Sequence, residues 1–376
     1  MKRRELLKGS IALSAGMAVG YVTPSGGQPP SPLPKAIVWK SPEKYSPLAY
    51  FDRMYAETTP RLAFRASSPD EAVAWKKKLR LKLWELLAER HEPGRSEPAG
   101  RSLETMRLDG YIREKREIDV VPGRTMPFYI LTPEGERKPY KTVLCLHGHG
   151  NGVRDVVGLA SNDTERAHIR SYNYDYAVQC ARRGWCAIAP ELFAFGERVD
   201  SMKGAPIGCE KPFLNALLLG KTLAGIRTKD VCTLIDWLSF QDVYDMSSLA
   251  CMGLSGGGTI TMYASALEDR IHRVMPAGIL AEVKPLLFDM LQCPCNYIPG
   301  MFHWTDLSDV AGLIAPRFMV VQCGRNDPII PIDSSRSAME KLRRIYAVYG
   351  KPENLLYHEH DGAHVFWSKS LDDFLV

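Results

Sequence analysis

The fold is decided by residues 249–264, which read LACMGLSGGGTITMYA. Residues 249–252 are a short apolar run typical of a buried strand, and residues 259–264 are compatible with a helix. Between them the pentapeptide 253–257, GLSGG, fits the pattern G-x-S-x-G. A strand, a sharp turn and a helix in this order hold a serine in a strained and exposed position above a sheet. The stretch therefore predicts that Ser255 is a nucleophile.

Two alternatives for the same stretch are a turn without catalytic function and a phosphate-binding loop. A phosphate loop follows the spacing G-x-x-x-x-G-K-[ST], and no lysine lies in this stretch. A catalytic serine needs a base to take its proton and an acid to orient that base. In folds with this turn the partners follow in the order serine, acid, histidine. Both partners are therefore expected downstream of Ser255.

The predicted acid is Asp327. The apolar run 318–322 indicates a strand, and Asp327 lies in the loop just beyond it, where sheets of this type build their sites. Asp327 precedes a proline, so a plain turn residue is the alternative role. Asp333 is a second candidate acid, although its position favours capping of the next helix.

The predicted base is His364. A last strand over 355–357 leads to three histidines, His358, His360 and His364. His358 and His360 share one face of a strand with a period of two, which suits a structural role or a metal pair. His364 follows a Gly-Ala bend, from which a loop can return an imidazole over the sheet. We therefore expect His364 to take the proton of Ser255.

The predicted oxyanion hole combines two backbone N–H groups. One belongs to Gly256, directly after the nucleophile. The other is expected in the segment 147–152, HGHGNG, which follows the apolar strand 142–146. His149 is the favoured donor, and Gly150 is possible by register. The spacing His147-x-His149 could also form a metal pair, but the sequence offers no obvious third ligand.

The order of elements predicts an α/β fold with a mostly parallel central sheet. Alternating strands over 111–121 and 126–131 are followed by repeated pairs of strand and helix, which favours parallel pairing with helices on the faces. Two segments, 199–221 and 281–312, interrupt this alternation and are expected to be loops over a site.

These motifs together resemble those of the α/β-hydrolases from about residue 108 onward. The quoted motifs are HGHG at 147–150, GLSGG at 253–257, GRND at 324–327 and GAH at 362–364. The segment PELFAFGER at 190–198 is similar to one found in the exported bacterial branch that contains acetyl xylan esterases and dienelactone hydrolases. The resemblance implies an α/β-hydrolase fold and a Ser-His-Asp triad. Dienelactone hydrolases carry a cysteine where this chain has Ser255, so their substrate is not implied.

The implied activity is that of a serine esterase, with an acetylated sugar or plant polysaccharide as the expected substrate. Phe193, Phe195 and Trp304 are candidate residues for stacking on sugar rings, with a core role as the alternative. A serine peptidase with the same triad is a rival function, and a ligand-binding protein without catalysis is another. Retention of the serine, acid, histidine and oxyanion loop argues against the latter.

Composition and cysteine spacing argue against a nucleic-acid-binding protein and against a metal site. The sequence has 48 basic and 43 acidic residues among 376, a net charge of +5, without the concentrated basic surface typical of nucleic-acid binding. Nine cysteines leave at least one unpaired within the chain. Cys293-Pro294-Cys295 has no matching Cys/His pair at zinc-finger spacing, so we expect no metal, and nothing in the sequence indicates a cofactor.

The first residues resemble an export signal. Lys2-Arg3-Arg4 precedes Leu6-Leu7-Lys8 and a short, weakly apolar run, as in signals read by the twin-arginine export machinery. We expect an exported protein without a stable membrane span, because the run is too short and too rich in Gly and Ala. The predicted organisation is signal and start of linker at 1–27, linker and helical extension at 28–105, and the catalytic α/β-hydrolase domain at 106–376.

Overall fold

The central element is a nine-stranded sheet in the order β1-β2-β3-β5-β4-β8-β9-β10-β11. The computed structural model describes residues 42–94, 97–202, 205–206 and 208–376. The predicted export signal lies outside these residues. The strands are β1 Gly100–Leu108, β2 Tyr111–Val121, β3 Arg124–Pro133, β4 Tyr140–Leu146, β5 Cys186–Pro190, β6 Ser201–Met202, β7 Ala205–Pro206, β8 Tyr244–Leu254, β9 Arg273–Ala277, β10 Phe318–Gly324 and β11 Leu355–His360.

Helices flank this sheet and connect most of its parallel strands. They are α1 Pro47–Glu57, α2 Pro69–Leu87, α3 Val153–Val156, α4 Asp163–Tyr172, α5 Tyr176–Ala181, α6 Glu210–Leu218, α7 Leu223–Ser239, α8 Gly256–Leu267, α9 Leu307–Gly312, α10 Ile332–Val348 and α11 Ser370–Phe374. No helix within the described ranges is both long enough and apolar enough to cross a membrane.

The mode of strand pairing changes once across the sheet, from antiparallel to parallel. Neighbouring strands from β1 to β5 pair antiparallel, and all pairs from β5 through β4, β8, β9 and β10 to β11 are parallel. The carboxyl ends of the parallel strands therefore meet at one edge, where the loops after β4, β8, β10 and β11 lie. The predicted fold class, a mostly parallel sheet flanked by helices, is confirmed.

Apolar runs explain which strands are central. The last six residues of β8 and the last five of β4 are buried, because helices cover both faces of the sheet there. Strand β1 is almost wholly exposed and was not predicted, since its sequence, GRSLETMRL, alternates too weakly to indicate a buried face. It begins at Gly100, within the range 28–105 that the sequence analysis assigned to linker and extension.

Helix α2 lies in the predicted helical extension and buries one apolar face. Ser68 caps its first turn by accepting the Glu71 N–H, and Pro69 fits the first helical position, where no backbone donor is needed. The buried side chains recur at helical spacing and are Ala72, Trp75, Leu79, Leu83 and Leu87. Residues 52–376 form one compact unit that includes this helix, and the described residues 42–51 belong to another unit.

Candidate active site

Ser255 occupies the turn between β8 and α8. Its backbone adopts φ 60° and ψ −123°, a region that residues with a side chain rarely enter. The Ser255 N–H donates to the Ala277 carbonyl at 2.9 Å, which ties the turn to the end of β9. The strain is therefore supported by a defined contact, and the serine stands at the carboxyl edge of the sheet.

Glycines on either side of Ser255 allow backbone segments to approach one another closely. A Cβ at Gly253 would lie 2.5 Å from the Leu146 carbonyl oxygen, and a Cβ at Gly257 would overlap the same oxygen. On the opposite segment, a Cβ at Gly148 would lie 3.2 Å from the Ser255 Cβ. The G-x-S-x-G spacing thus lets the end of β4 and its loop lie directly beside the serine.

The structure brings Asp327 and His364 together. His364 Nδ1 lies 2.6 Å from Asp327 Oδ2, and both side chains are buried. The other carboxylate oxygen, Oδ1, accepts the N–H groups of Ile329 at 2.8 Å and Ile330 at 3.0 Å. These bonds fix the carboxylate, so the geometry assigns the proton of the neutral imidazole to Nδ1 and leaves a lone pair on Nε2.

Parallel pairing of β10 with β11 explains this encounter. The Arg325 N–H donates to the His360 carbonyl at 2.8 Å, and the Asn326 N–H donates to the Gly362 carbonyl at 3.2 Å. The loop that carries Asp327 is therefore bonded to the bend that precedes His364. Two residues far apart in the sequence meet because their strands end side by side.

The His364 ring also lies beside the end of β9, the strand to which the turn at Ser255 is bonded. Its Cε1 would be 3.2 Å from a Cβ on Gly278, the residue after Ala277. Among the described residues His364 Nε2 has no hydrogen-bond partner, so it is not bonded to the Ser255 hydroxyl in this conformation. Catalytic hydrogen bonds often tighten only when substrate binds.

The loop after β4 lies opposite Ser255 and offers backbone donors. Its conformation is held from outside by Tyr174, whose hydroxyl donates to the His149 carbonyl at 3.0 Å. No described backbone carbonyl accepts the His149 or Gly256 N–H. Gly150 instead lies against the carboxylate of Asp155. The choice between the N–H groups of His149 and Gly150 as the second donor stays a prediction.

Sequence comparison agrees with this architecture. The model for the Abhydrolase family matches residues 41–366, most of the chain. The chain belongs to the Abhydrolase family. A curated relative, "Putative hydrolase YtaP" of Bacillus subtilis (strain 168), is 22% identical over 261 residues, which cover 66% of this chain and 82% of that protein.

Solved structures share the fold of this Abhydrolase family member. A "putative acetyl xylan esterase" from Bacteroides fragilis NCTC 9343 has a TM-score of 0.73 at 20% identity, covering 84% of this chain and 82% of that chain. A glucuronoyl esterase from Solibacter usitatus has a TM-score of 0.62 at 13% identity, covering 85% of this chain and 98% of the other. These comparisons establish the α/β-hydrolase architecture.

The other candidates for the base and the acid, which are His358, His360 and Asp333, have partners of their own. His358 Nδ1 lies 2.9 Å from the Ser370 hydroxyl, and His360 Nδ1 accepts the Gly362 N–H at 3.1 Å. Asp333 is exposed and contacts Arg336 at 3.1 Å on the same helix. None of these three side chains contacts the Asp327–His364 pair through a hydrogen bond in the described part of the chain.

His147 and His149 do not form a pair. His147 is buried, with Nδ1 2.8 Å from the Gly148 carbonyl, and its Nε2 accepts the Leu192 N–H at 2.9 Å. Glu191, also fully buried, lies 3.0 Å from the same nitrogen and accepts the Val153 N–H at 3.0 Å. These contacts brace the loop after β4 against the loop after β5.

Sequence reasoning missed this bracing role of Glu191. The available signal was the segment PELFAFGER at 190–198, because a carboxylate directly after a fully apolar strand is buried only if it is bonded. A Cβ on either Gly152 or Gly196 would overlap the Glu191 carboxylate, so these glycines make room for it.

The three aromatic candidates have mainly structural contacts. Phe195 is buried with its ring 5.0 Å from that of His149, and the Arg227 guanidinium lies 4.6 Å from the centre of the same ring. The Arg61 guanidinium lies 4.9 Å, and the Lys82 ammonium 4.0 Å, from the centre of the Trp304 ring. These contacts favour the core role for Phe195 and a packing role for Trp304.

Phe193, like Trp304, is partly buried, whereas Phe195 is buried. The Phe193 ring lies 5.1 Å from the Arg198 guanidinium, and the Phe193 carbonyl accepts the Arg227 Nε–H at 2.9 Å. A substrate-binding role for Phe193, Phe195 and Trp304 stays a prediction.

Proposed function

We propose that this Abhydrolase family member is a serine hydrolase that cleaves carboxylic esters through an acyl-enzyme. The proposal rests on one observation. Ser255 lies in a strained turn, and the same structure contains a His364 Nδ1 that lies 2.6 Å from Asp327 Oδ2. A strained backbone is maintained where surrounding contacts enforce it, and such positions cluster at reactive centres. A buried imidazole whose Nε2 has no partner among the described residues supplies the base that the hydroxyl needs.

In the first half-reaction the Ser255 hydroxyl attacks the ester carbonyl carbon and His364 Nε2 takes its proton. The Asp327 carboxylate accepts a hydrogen bond from the His364 Nδ1–H and stabilises the imidazolium. The N–H groups of Gly256 and His149 donate to the oxyanion of the tetrahedral intermediate. Collapse of this intermediate expels the alcohol, which receives the proton from His364. Water then attacks the acyl-enzyme by the same sequence and releases the carboxylic acid.

An acetylated carbohydrate is the proposed substrate. The support is the resemblance of the 190–198 segment and the fold shared with proteins whose names include acetyl xylan esterase and glucuronoyl esterase. The twin-arginine-like residues at the start of the chain support a further proposal, export through a signal within residues 1–27, which also contain the start of the linker. Polymeric plant carbohydrates are met outside the cell, which agrees with export.

The first test is Ser255→Ala, assayed with p-nitrophenyl acetate. Loss of the nucleophile should reduce kcat/KM by at least about 10³-fold. The matched control is Ser247→Ala, an exposed serine near the start of β8 that bonds only to Asp245 and should leave turnover unchanged. Full activity of the Ser255 variant would disprove the proposal.

A fluorophosphonate probe separates the enzyme from a ligand-binding protein. The wild-type chain should be labelled at Ser255 and the alanine variant should not. A folded wild-type protein that resists labelling would favour the non-catalytic function. A panel of acetylated xylo-oligosaccharides, longer-chain esters and peptides then distinguishes esterase from peptidase.

A further inference from the structure

One histidine and three cysteines converge beside the predicted oxyanion loop. The ligand atoms of His149, Cys209, Cys293 and Cys295 all lie within 4.8 Å of one another. Cys209 and Cys295 are buried, and Cys293 and His149 are partly buried. The histidine comes from the loop after β4, Cys209 directly precedes α6, and the other two flank Pro294 in the segment between β9 and β10.

The two distances from His149 Nε2 to cysteine sulfurs are close to the edges of a tetrahedron around zinc. His149 Nε2 lies 3.5 Å from Cys295 Sγ and 3.8 Å from Cys209 Sγ, and the sulfurs of Cys293 and Cys295 are 3.2 Å apart. Zinc bonds of about 2.3 Å to sulfur and about 2.0–2.1 Å to nitrogen, at tetrahedral angles, place nitrogen about 3.5 Å and sulfur about 3.8 Å from a neighbouring sulfur. Of these three distances, the one between the Cys293 and Cys295 sulfurs is shorter than that, and all six lie within 4.8 Å.

A buried arginine provides independent evidence that the cluster carries negative charge. Arg227 is 3% exposed and its Nη2 donates to Cys209 Sγ at 3.2 Å. Within the described ranges no carboxylate forms an ion pair with it, and its Nε–H donates to the Phe193 carbonyl at 2.9 Å. A buried guanidinium is costly without a counter-charge. Zn²⁺ with three thiolates and a neutral imidazole has a net charge of −1, which this arginine balances.

We propose that Cys209, Cys293, Cys295 and His149 Nε2 bind one zinc ion in a closed, four-ligand structural site. Three sulfur ligands select a soft or borderline metal, and four protein ligands leave no position for water or substrate. The ion would hold three segments together, two of which, 199–221 and 281–312, were predicted as loops over the site.

The site also positions the candidate oxyanion donor, an inference that rests on the proposed function. A Cβ on Gly256 would lie 3.1 Å from His149 Nδ1, so this ring stands directly beside the turn that carries Ser255. Coordination through Nε2 fixes both the ring and the backbone of the same residue. His149 N–H is then held against movement of the loop, and the three cysteines act as positioning residues.

Spacing along the chain could not reveal this set. Cys293-Pro294-Cys295 has no second pair at zinc-finger spacing, which led to the expectation of no metal. The fold supplies the other two ligands from separate segments, one histidine and one cysteine. Likewise, His149 lacks a partner in His147 because that ring is bonded to the loop after β5.

The proposal is tested by the metal content of the full chain, purified without chelators in reducing buffer. We expect about one zinc per chain, and less than a tenth of that in Cys209→Ser and Cys295→Ser. The matched control is Cys180→Ala, a buried cysteine on α5 that packs against Met252 and should retain full zinc. Absence of zinc from the folded wild-type protein, also after incubation with Zn²⁺, would overturn the proposal.

Cobalt replacement and mass spectrometry distinguish the alternatives. Co²⁺-loaded protein should show the intense visible absorption of tetrahedral cobalt and a near-ultraviolet sulfur-to-cobalt band, both absent in Cys295→Ser. A disulfide between two of the three cysteines in the protein as purified, detected in the intact mass and persisting under reducing conditions, would contradict the site. These readouts do not depend on ester hydrolysis, so failure of the proposed function leaves them unaffected.

Kinetics test the positioning role separately. In folded, zinc-free Cys209→Ser, kcat should fall by about 10-fold to 100-fold with little change in KM, the range typical of losing an outer-shell orienting group. Unchanged kcat in a zinc-free variant would show that the ion does not position the oxyanion loop.

Discussion

At the scale of single residues, the acid of the proposed triad is the position where the two candidates differ most. Asp327 is buried and bonded through both oxygens, and Asp333, the other candidate, is exposed and bonded to a neighbouring arginine. Only the first can hold His364 in the tautomer that leaves Nε2 free. The two aspartates thus form a natural pair of test and control.

Asp327→Asn should lower kcat by about 10³-fold to 10⁴-fold, because an amide in this position favours the wrong imidazole tautomer. The thermal unfolding temperature should change little, since the asparagine has nearly the same shape. Steady-state kinetics on p-nitrophenyl acetate measure the effect. Asp333→Asn serves as the control and should retain wild-type kcat, and the reverse result would assign the acid to Asp333.

At the scale of elements, α2 is bound into the core despite lying outside the predicted catalytic domain. Its indole at Trp75 donates to the Leu62 carbonyl at 2.7 Å, and Leu79 and Leu83 are fully buried. The first 41 residues are not described, but this helix belongs to the same compact unit as the sheet. We infer that the helical extension stabilises the sheet.

Leu83→Ala should lower the free energy of unfolding by about 2–5 kcal/mol, because it removes a buried side chain and leaves a cavity. Leu81→Ala is a matched control on the same helix, since Leu81 is 67% exposed, and should change stability by less than about 0.5 kcal/mol. Urea unfolding followed by circular dichroism measures both. Equal effects of the two substitutions would show that α2 does not pack as described.

At the scale of the whole molecule, one charge cluster ties β11 to α10 and to the loop after β10. Glu359 accepts two bonds from Arg336, at 2.8 and 2.9 Å, and one from Arg325 at 3.1 Å. The Arg336 side chain, together with that of Arg325, lowers the pKa of Glu359 to about 2. A carboxyl with a lowered folded-state pKa contributes stability above its usual pKa, and this contribution is lost as the pH falls toward 2.

Glu359→Gln should therefore lower the unfolding temperature at neutral pH, and the difference from wild type should shrink as the pH falls from about 7 to about 3. Thermal scans at several pH values measure this. The control is Glu353→Gln, which removes an exposed pair with Lys351 and should have little effect at any pH. A difference between Glu359→Gln and wild type that stays constant with pH would contradict the assignment.

The sequence predicted the parts of the site that are encoded locally. The turn at Ser255 follows from a strand, small residues and a helix in consecutive positions, and its positive φ bears this out. The fold class followed from repeated strand–helix alternation. Strand β1 was missed because an exposed edge strand has no buried face to produce a pattern.

The sequence by itself thus determined the fold class, the strained turn at Ser255 and the order of the candidate triad, because each depends on short-range backbone geometry or on chain order. Only the tertiary structure decided which side chains meet across long separations, including Glu191 with His147 and Cys209 with His149. Such contacts depend on which strands end side by side and on where the intervening loops return. Those are packing properties of the whole sheet, and they cannot be predicted from the spacing of residues that are close in the sequence.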